Sequence, residues 1–395
     1  MTSGQPPAER QNRSPAHGPA AGLALPAPGR IAIVMLSALG DAVHVLPVVT
    51  ALKRHWPESR ITWFVQPVPQ RLAQGHPGVA EFVVFHRRRG ARGLRSFLEL
   101  KRQLAGRRFD LVINLQVYLK AGVITGLLDS PVKLGFDRKR ARDMNWAFTT
   151  HRIPPHPVQH VQDQYFEFLE YLGVDPRPVA WGLALTAEER AAQEAWLARQ
   201  DRPVCAVVAG TSRPEKNWAP ERYARLLEHV WSDYGLQPVL VGGPSAVERE
   251  IAEAVQADVR VPVTAELGDD VRRLIWLLDA SALVISPDTG PLHIARALDR
   301  PLVGLYGFTN PRRLGPYGRP EGVVDGYARY PGEPYPASLE YRADGMQRVT
   351  VTGALEAVER VLRNGPGSGA SLRAARVTAD RGSEAAAAPS RATGD

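Results

Sequence analysis

The chain has 395 residues, of which 44% are apolar, and it carries a net charge of +8. This length allows two domains of ordinary size with substantial cores. No apolar run reaches the roughly 18 residues that would cross a bilayer, and the single cysteine, Cys205, excludes an internal disulfide and a cysteine-based zinc site. A lone cysteine fits a reducing compartment, so we expect a cytoplasmic protein.

The charge is divided unevenly along the chain. Residues 31–175 hold 20 Lys and Arg against 12 Asp and Glu, whereas residues 176–364 hold 22 against 25. A basic first half is compatible with an ordinary solvated surface. It also fits a first half that meets an anionic partner.

Both ends of the chain have the composition of disordered tails. Residues 1–29 are rich in Pro, Ala and Gly and lack the basic start and apolar segment of a secretory signal. Residues 365–395 are rich in Gly, Ala and Ser. We therefore predict tails at 1–29 and 365–395.

Between the tails, short apolar runs alternate with helical patterns. In the first half the predicted strands are "IAIVML", "ITWFVQ", "EFVVFH", "FDLVINL" and "VKLGF", with helices such as "HVLPVVTALKRHW" and "SFLELKRQLAG" between them. In the second half the predicted strands are "PVCAVVAG", "QPVLVGG", "SALVISPD" and "RPLVGLYG", separated by the helices "PERYARLLEHVWSDYG", "SAVEREIAEAVQA" and "DDVRRLIWLLDA". This alternation predicts parallel, doubly wound sheets whose apolar strands are covered on both faces.

The fold class is therefore α/β, with two Rossmann-like domains. Gly and Pro cluster between Tyr171 and Gly182, where we place the join. The predicted domains are residues 30–175 and 176–364. A last helix, "TGALEAVERVLR", is predicted to begin at the cap Thr352.

Ligands of open parallel sheets bind where strands lead into helices, and three such loops carry unusual residues. The first is "SALGDAVH", in which Asp41 follows Gly40 at the start of a helix. Asp is a favoured helix N-cap, and this loop alone favours capping over catalysis.

The second loop, "GTSRPEKNW", offers Thr211, Ser212 and Lys216. These residues suit a phosphate, although the loop is not a Walker motif and is equally compatible with a polar surface.

The third loop, "SPDTGPLHIARAL", turns at Asp288, Thr289 and Gly290 into a helix whose first residue is predicted to be Pro291. The N–H groups at such a helix end bind anions readily. His293 falls in the first turn, either on the ligand side or buried against the sheet.

Other residues give weaker signals. His156 and His160 are four apart without a third ligand, and the chain has no Asp-x-Asp pair for a metal–diphosphate, so we predict no metal site. The basic clusters Arg87–Gly90 and Asp137–Arg142 are typical of solvated surface. No nucleic-acid module accompanies them, and we predict no nucleic-acid partner.

Taken together, the three loops resemble glycosyltransferase family 9, the heptosyltransferases of lipopolysaccharide core assembly. The opening segment resembles the family pattern Ser-x-x-Gly-Asp-x-x-His-x-x-Pro, and "GTSRPEKNW" resembles Gly-Thr-x-x-x-x-Lys-x-Trp. "SPDTGPLHIARALDRPLVGLYGFTNPRRLGPYG" resembles the Asp-Thr-Gly-x-x-His segment and the tail that follows it. The match spans roughly residues 31–320, and the stretch "GYARYPGEPYPASLEYR" lies outside it.

The resemblance implies a GT-B fold, with two Rossmann-like domains facing across a cleft. It implies metal-independent, inverting transfer of a sugar from a nucleotide-diphosphate donor, most often ADP-heptose, to the lipopolysaccharide inner core. The catalytic aspartate of the family corresponds to Asp41, so catalysis now leads capping, and both can hold. No cofactor is implied, and we expect peripheral attachment to the inner face of the inner membrane.

The residues then suggest roles. Asp41 would act as the base, while fixed positive groups would stabilise the leaving diphosphate. The predicted donor-binding residues are Thr211, Ser212, Lys216, Glu248, Asp288, Thr289, Gly290 and His293. Within this set Asp288 would shape its turn, and Glu248 would bind the ribose or simply be solvated on its helix. The predicted acceptor-binding residues are Lys120, Arg138, Lys139, Arg140 and Arg142.

Two alternatives stay open at this point. Another nucleotide-sugar transferase, or an epimerase, could use the same fold. A non-enzymatic anion-binding protein would keep the basic half without requiring Asp41 or Lys216.

Overall fold

The computed structural model describes residues 22–86 and 91–364, and the side chains of residues 91–94 and 364 are not among the described ones. Most of the predicted tails and the basic cluster Arg87–Gly90 lie outside this range. Residues 22–29 of the first predicted tail lie inside it, and the Leu23 N–H donates to the carbonyl of Tyr171 at 2.7 Å.

The first half contains a six-stranded sheet and the helices that cover it. Its strands are β1 (Arg30–Val34), β2 (Arg60–Val65), β3 (Glu81–Val84), β4 (Leu111–Asn114), β5 (Val132–Gly135) and β6 (His151–Arg152). Its helices are α1 (Leu39–His55), α2 (Pro67–Ala73), α3 (Ala91–Gln103), α4 (Leu119–Leu127) and α5 (Val161–Tyr171).

The second half repeats this plan. Its strands are β7 (Val204–Val207), β8 (Gln237–Gly242), β9 (Thr264–Leu267), β10 (Leu283–Pro287), β11 (Leu302–Tyr306) and β12 (Val323–Asp325). Its helices are α6 (Ala187–Leu197), α7 (Pro220–Ser232), α8 (Ala246–Asp258), α9 (Val271–Asp279), α10 (Gly290–Ala297), α11 (Pro311–Leu314), α12 (Gly345–Arg348) and α13 (Val351–Asn364).

Both sheets are parallel and have the same strand order. The first runs β3-β2-β1-β4-β5-β6 and the second β9-β8-β7-β10-β11-β12. In each, the order reverses between the first and fourth strands, which is where a Rossmann-like sheet binds its ligand. The predicted α/β class with two Rossmann-like units is confirmed.

Alternate side chains of the apolar strands pack into different layers. Ile31 and Ile33 of β1 pack into a central cluster that also holds Val284 and Leu292 of the second half. Ala32 and Val34 of β1 face a separate outer cluster beneath α3 and α4. The two halves therefore share one apolar layer, in which α1 packs against α10 and α2 against α9.

Two predicted helix starts are wrong by one or two residues. The last helix, α13, begins at Val351, and the Gly353 N–H donates to Thr350 Oγ1 at 3.0 Å, so Thr350 serves as the cap in place of Thr352. Helix α10 begins at Gly290, one residue before Pro291. In both cases a hydroxyl residue and a proline or glycine stand close together, and the sequence allows more than one register.

The short strands β6, β9 and β12 were missed because they are brief and only partly buried, so their apolar pattern is weak.

Within the described ranges, no helix is long and apolar enough to cross a membrane.

Candidate active site

One cavity of about 510 Å³ lies where the two sheets face each other. Loops that follow β1, β4, β7, β10 and β11 all reach it. Its lining residues are Ala38, Leu39, Gly40, Asp41, His44, Tyr118, Thr211, Ser212, Arg213, Lys216, Asp288, Thr289, Gly290, His293, Arg313, Leu314 and Tyr341. Strand order reverses between β1 and β4 and between β7 and β10, so the binding positions of both sheets open into the same space.

Asp41 lies in the first turn of α1, but it is not the N-cap. The cap is Ala38, and Asp41 Oδ2 accepts the Ala38 N–H at 3.1 Å from the third helical position. No hydrogen bond to the other carboxylate oxygen occurs among the described residues. Burial raises the pKa of Asp41, and the Ala38 N–H and the nearby His293 and Arg313 charges oppose that rise. The side chain thus combines a fixed position with the character of a base.

The first turns of helices α1 and α10 are in close contact beside the cavity. A Cβ atom on Gly40 would lie 3.2 Å from His293 Cδ2, and one on Gly290 would lie 3.0 Å from Leu39 Cδ2. Glycine at both positions permits this approach. The cap residue of α10, Thr289, makes no side-chain capping bond. The first-turn N–H groups of α10 therefore supply partial positive charge at the cavity.

Lys216 is paired rather than exposed. Its Nζ donates to Asp288 Oδ2 at 2.7 Å and to the Asp288 carbonyl at 2.9 Å. Asp288 Oδ2 also accepts from Thr309 Oγ1 at 2.8 Å. Burial alone would raise the pKa of Asp288, but His293 and Lys216 hold it well below its usual range. Asp288 shapes the turn by anchoring Lys216, and the pair is close to neutral overall.

Thr211 and Ser212, the other residues of the second loop that were predicted to bind the donor, have different surroundings. The Thr211 N–H donates to Asn217 Oδ1 at 2.8 Å, and its hydroxyl donates to the Arg213 carbonyl at 2.7 Å. Thr211 therefore uses its donors to fold its own loop. Ser212 is exposed at the cavity edge, and the Arg213 guanidinium lies 5.6 Å from the centre of the Tyr341 ring.

Three histidine side chains lie together where the halves meet. The ring centres of His44 and His293 are 4.7 Å apart, and those of His44 and His160 are 5.9 Å apart. His44 Nδ1 bonds Gln162 Oε1 at 3.0 Å, which ties α1 to α5. Burial lowers the pKa of His160 to about 4 and puts that of His44 well below its usual range. These two rings are therefore neutral near pH 7 and add no positive charge.

His293 lines the cavity and is also buried, so the two predicted positions, on the ligand side and in the protein interior, both describe it. Its Nε2 lies 3.5 Å from Asp288 Oδ1, and its Nδ1 is buried without a hydrogen-bond partner among the described residues. His160 is turned toward the second half, where its Nε2 bonds the Gly315 carbonyl at 2.9 Å. His156 instead lies near Glu167, so the two histidines do not form a pair.

Glu248 does not line the cavity. It is the third residue of α8, where its carboxylate accepts from the Gly243 N–H at 2.8 Å and from Ser245 Oγ at 2.6 Å. Ser245 Oγ in turn accepts the Glu248 N–H and so caps the helix. A ribose-binding role for Glu248 stays a prediction.

The predicted acceptor-binding residues lie beside the cavity rather than in it. Arg142 stands 6.0 Å from the ring of Tyr118, which lines the cavity, and Lys120 follows two residues later on α4. Arg138 lies 4.3 Å over the Trp146 ring, and Lys139 is exposed. These positions leave their acceptor role a prediction.

Arg140 is the exception in this set. Its guanidinium pairs with Asp137 at 2.5 Å and Glu167 at 2.7 Å, and also donates to the Pro154 carbonyl. Because these contacts use its donors inside the protein, we no longer place Arg140 among the acceptor-binding residues.

The sequence interpretation missed several lining residues. His44 follows Asp41 by three positions and so shares its helical face, which is a signal that was available. Arg313 stands in "NPRRLGPYG" beside a second arginine, Arg312, and nothing in the local sequence predicts which of the two lines the cavity. Tyr341 comes from the aromatic stretch that had no family match, and only the fold brings it to the cavity.

Comparison with known proteins gives a consistent picture. A family model described as glycosyltransferase family 9 (heptosyltransferase) matches residues 97–333. The chain is also 30% identical over 302 residues to the lipopolysaccharide core heptosyltransferase OpsX of Haemophilus influenzae. That alignment covers 76% of this chain and 85% of OpsX.

Two solved structures share the fold. A glycosyl transferase of family 9 from Veillonella parvula superposes with a TM-score of 0.71 at 22% identity, covering 84% of this chain and 97% of that one. The E. coli heptosyltransferase WaaC with ADP-2-deoxy-2-fluoro heptose gives a TM-score of 0.64 at 23% identity, covering 84% and 99%. The two facing Rossmann-like units are thus those of a GT-B fold.

The Lys216–Asp288 pair leads to a stability prediction. Lys216→Ala should lower the free energy of unfolding by about 2–3 kcal/mol, because it removes a charged partner from a buried carboxylate. Chemical denaturation should measure the loss, and adding Asp288→Asn should recover part of it. Lys101→Ala, an exposed lysine on α3, is the control. A Lys216→Ala variant as stable as the control would contradict the interpretation.

Proposed function

Because the chain belongs to glycosyltransferase family 9, we propose that this glycosyltransferase moves a heptose from ADP-heptose onto the lipopolysaccharide inner core. The transfer would be inverting and independent of metal. One observation carries the proposal: a carboxylate of the first half, Asp41, and the N-terminus of α10 in the second half line a single cavity. A base and an anion site opposite each other are what transfer from a nucleotide diphosphate requires.

The donor fits the second half. The diphosphate would lie at the start of α10, where Thr289 and Gly290 present backbone N–H groups. An ammonium group has three donors, and Lys216 uses two of them on Asp288. Its third donor is therefore available for a phosphate oxygen. The relatives named above support this donor class, since WaaC is described with an ADP-heptose analogue.

The acceptor would approach from the first half. Its hydroxyl oxygen attacks the anomeric carbon while Asp41 takes the hydroxyl proton. The bond from that carbon to the diphosphate breaks, and its electron pair leaves with the nucleotide diphosphate. A single displacement from the opposite face inverts the configuration. The positive ends at α10 and Lys216 stabilise the charge that builds up on the leaving group.

Asp41 gives the direct test of the mechanism. Asp41→Asn keeps an oxygen that can accept the Ala38 N–H, but it cannot take a proton. Transfer should therefore fall by about 10²–10⁴-fold, the usual contribution of a general base, while ADP binding and the unfolding midpoint stay close to those of the parent.

Because burial raises the pKa of Asp41, kcat/KM of the parent should fall as the pH is lowered through a value above the ordinary aspartate range.

Asp41→Ala is the companion variant, since it removes both the base and the bond to Ala38. It should lose transfer to the same extent and also some stability. An asparagine variant that transfers heptose at nearly the parental rate would rule out Asp41 as the base.

Metal independence rests on the residues present. The sequence has no Asp-x-Asp pair, and in residues 22–86 and 91–364 no group of three or more His, Cys, Asp or Glu side chains is arranged to hold a metal. Transfer in excess EDTA should equal transfer without it, measured by ADP release. Loss of activity that Mg²⁺ or Mn²⁺ restores would show that the leaving group relies on a metal.

We also propose that the protein attaches to the membrane surface beside its cavity. The surface concerned, which we term the lip patch, consists of Tyr118, Leu119, Arg138, Lys139, Arg142 and Met144. Tyr118, Leu119 and Met144 are exposed by 51%, 44% and 63%. Asn145 Nδ2 donates to the Tyr118 carbonyl at 2.7 Å and so joins the two segments of the patch. Apolar tips among basic side chains suit an anionic lipid surface.

Sedimentation with vesicles containing anionic phosphatidylglycerol tests the lip patch. A Leu119→Gln and Lys139→Gln double variant should partition at least about fivefold less than the parent, because each basic residue near the surface contributes about 1 kcal/mol. The control is Leu339→Gln, which changes an equally exposed leucine of the second half. Equal binding by the double variant and the parent would refute the patch. Binding that resists high salt would indicate an apolar anchor instead.

A further inference from the structure

Arg313 is a cation in the cavity whose side chain makes no hydrogen bond or ion pair within the part of the chain that the structure describes. It belongs to the short helix α11 and lines the same cavity as Asp41. Its Nε is buried and makes no hydrogen bond, and the guanidinium has no carboxylate partner among the described residues. A buried donor without a partner is costly, so its position calls for a ligand.

The other two Lys and Arg side chains that line the cavity are engaged. Lys216 is held by Asp288 at 2.7 Å. The Arg213 guanidinium lies at the Tyr341 ring on an exposed loop. Arg313 is therefore the cavity cation that, among the described residues, neither forms an ion pair with a carboxylate nor lies over a ring.

Although Arg313 follows strand β11 of the second half, its surroundings belong to the first half. It interacts electrostatically with Asp41 of α1, with Tyr165 of α5 and with His160, the cap residue of α5. The turn after α11 is fastened to α5 as well. His160 Nε2 bonds the Gly315 carbonyl at 2.9 Å, and Tyr317 donates its hydroxyl to Asp163 at 2.6 Å. These contacts hold Arg313 on the acceptor side of the cavity.

We propose that Arg313 binds an anionic group of the acceptor, a carboxylate or a phosphate, beside the hydroxyl that Asp41 deprotonates. This inference rests on the proposed function and adds a binding residue to it. An anionic acceptor approaching Asp41 meets a like charge, and the guanidinium offsets that repulsion. The planar fork of arginine can also donate hydrogen bonds to two oxygens of such a group at once, which fixes the orientation of the neighbouring hydroxyl.

Acceptor kinetics test the proposal. With saturating ADP-heptose and heptose-deficient lipopolysaccharide as the acceptor, Arg313→Gln should raise the acceptor KM at least tenfold, measured by ADP release. Arg313→Lys keeps the charge without the fork and should fall between Gln and the parent. ADP affinity, measured by titration calorimetry, should stay within twofold of the parent.

Arg312→Gln is the matched control. Arg312 is the neighbouring residue on α11, but its guanidinium stacks 4.7 Å from the Tyr335 ring, away from this cavity. Its acceptor KM should stay within twofold of the parent. An equal rise in both variants would mean that general charge, and not Arg313, draws the acceptor.

Modified acceptors identify the anionic group. Dephosphorylated lipopolysaccharide and carboxyl-amidated lipopolysaccharide are compared with the untreated acceptor. The treatment that removes the partner of Arg313 should raise the parental KM and abolish the difference between the parent and Arg313→Gln. If the difference survives both treatments, the proposal is wrong.

Other outcomes separate this inference from the proposed function. An unchanged acceptor KM in Arg313→Gln overturns it, and a tenfold loss of ADP affinity assigns Arg313 to the leaving diphosphate instead. Binding of the acceptor in detergent micelles, measured without donor, should also weaken tenfold in Arg313→Gln with an unchanged unfolding midpoint. If the parent binds acceptor but transfers no heptose, the proposed function fails while this binding measurement still decides the role of Arg313.

Discussion

The close approach of two helix N-termini is the constraint on which the active site depends. Gly40 at the start of α1 and Gly290 at the start of α10 lack side chains where the two halves are in close contact. A side chain at either position would press on His293 or Leu39. Because each helix directly follows a central strand, fixing the helix ends also fixes the two strand exits. The proposed base and the proposed anion site are therefore positioned by helix backbone, which is more rigid than a loop.

The charge around the cavity follows from pairing as much as from composition. Lys216 and Asp288 nearly cancel, and burial keeps His44 and His160 neutral near pH 7. What remains is the partial positive charge of the α10 N-terminus and the unneutralised arginines at the rim. Such an arrangement would attract the proposed diphosphate. It also leaves Asp41 with a raised pKa, which favours proton uptake.

The two halves are coupled through a shared apolar layer and a polar seam. The central cluster includes residues of both sheets, so separating the halves would expose apolar surface to water. Above this layer, His160 and Tyr317 each form a hydrogen bond across the seam. The layer resists large displacement, whereas the seam confines α11 and Arg313. Together they keep the donor and acceptor sides in register.

The sequence by itself determined the alternation of strands and helices, the two Rossmann-like units and the three loops that carry the chemistry. These follow from local causes: apolar runs buried on both faces, and turn residues between strand and helix. The resemblance to glycosyltransferase family 9, which the family model confirms, was also carried by short motifs, each within one segment of the chain. The short strands β6, β9 and β12 could not be predicted from the sequence, because half-exposed segments of two to four residues show little apolar periodicity.

Only the tertiary structure decided which charges are free and which are paired. Lys216 and Asp288 are 72 residues apart, and Arg140 meets Glu167 across 27 residues, so neither pairing has a local signal. Arg312 and Arg313 are identical neighbours, yet one lies against Tyr335 and the other faces Asp41. The structure likewise places Asp41 at the third position of α1, with Ala38 as the cap. Coulombic interactions and burial depend on distance in space, and the order of residues along the chain does not specify that distance.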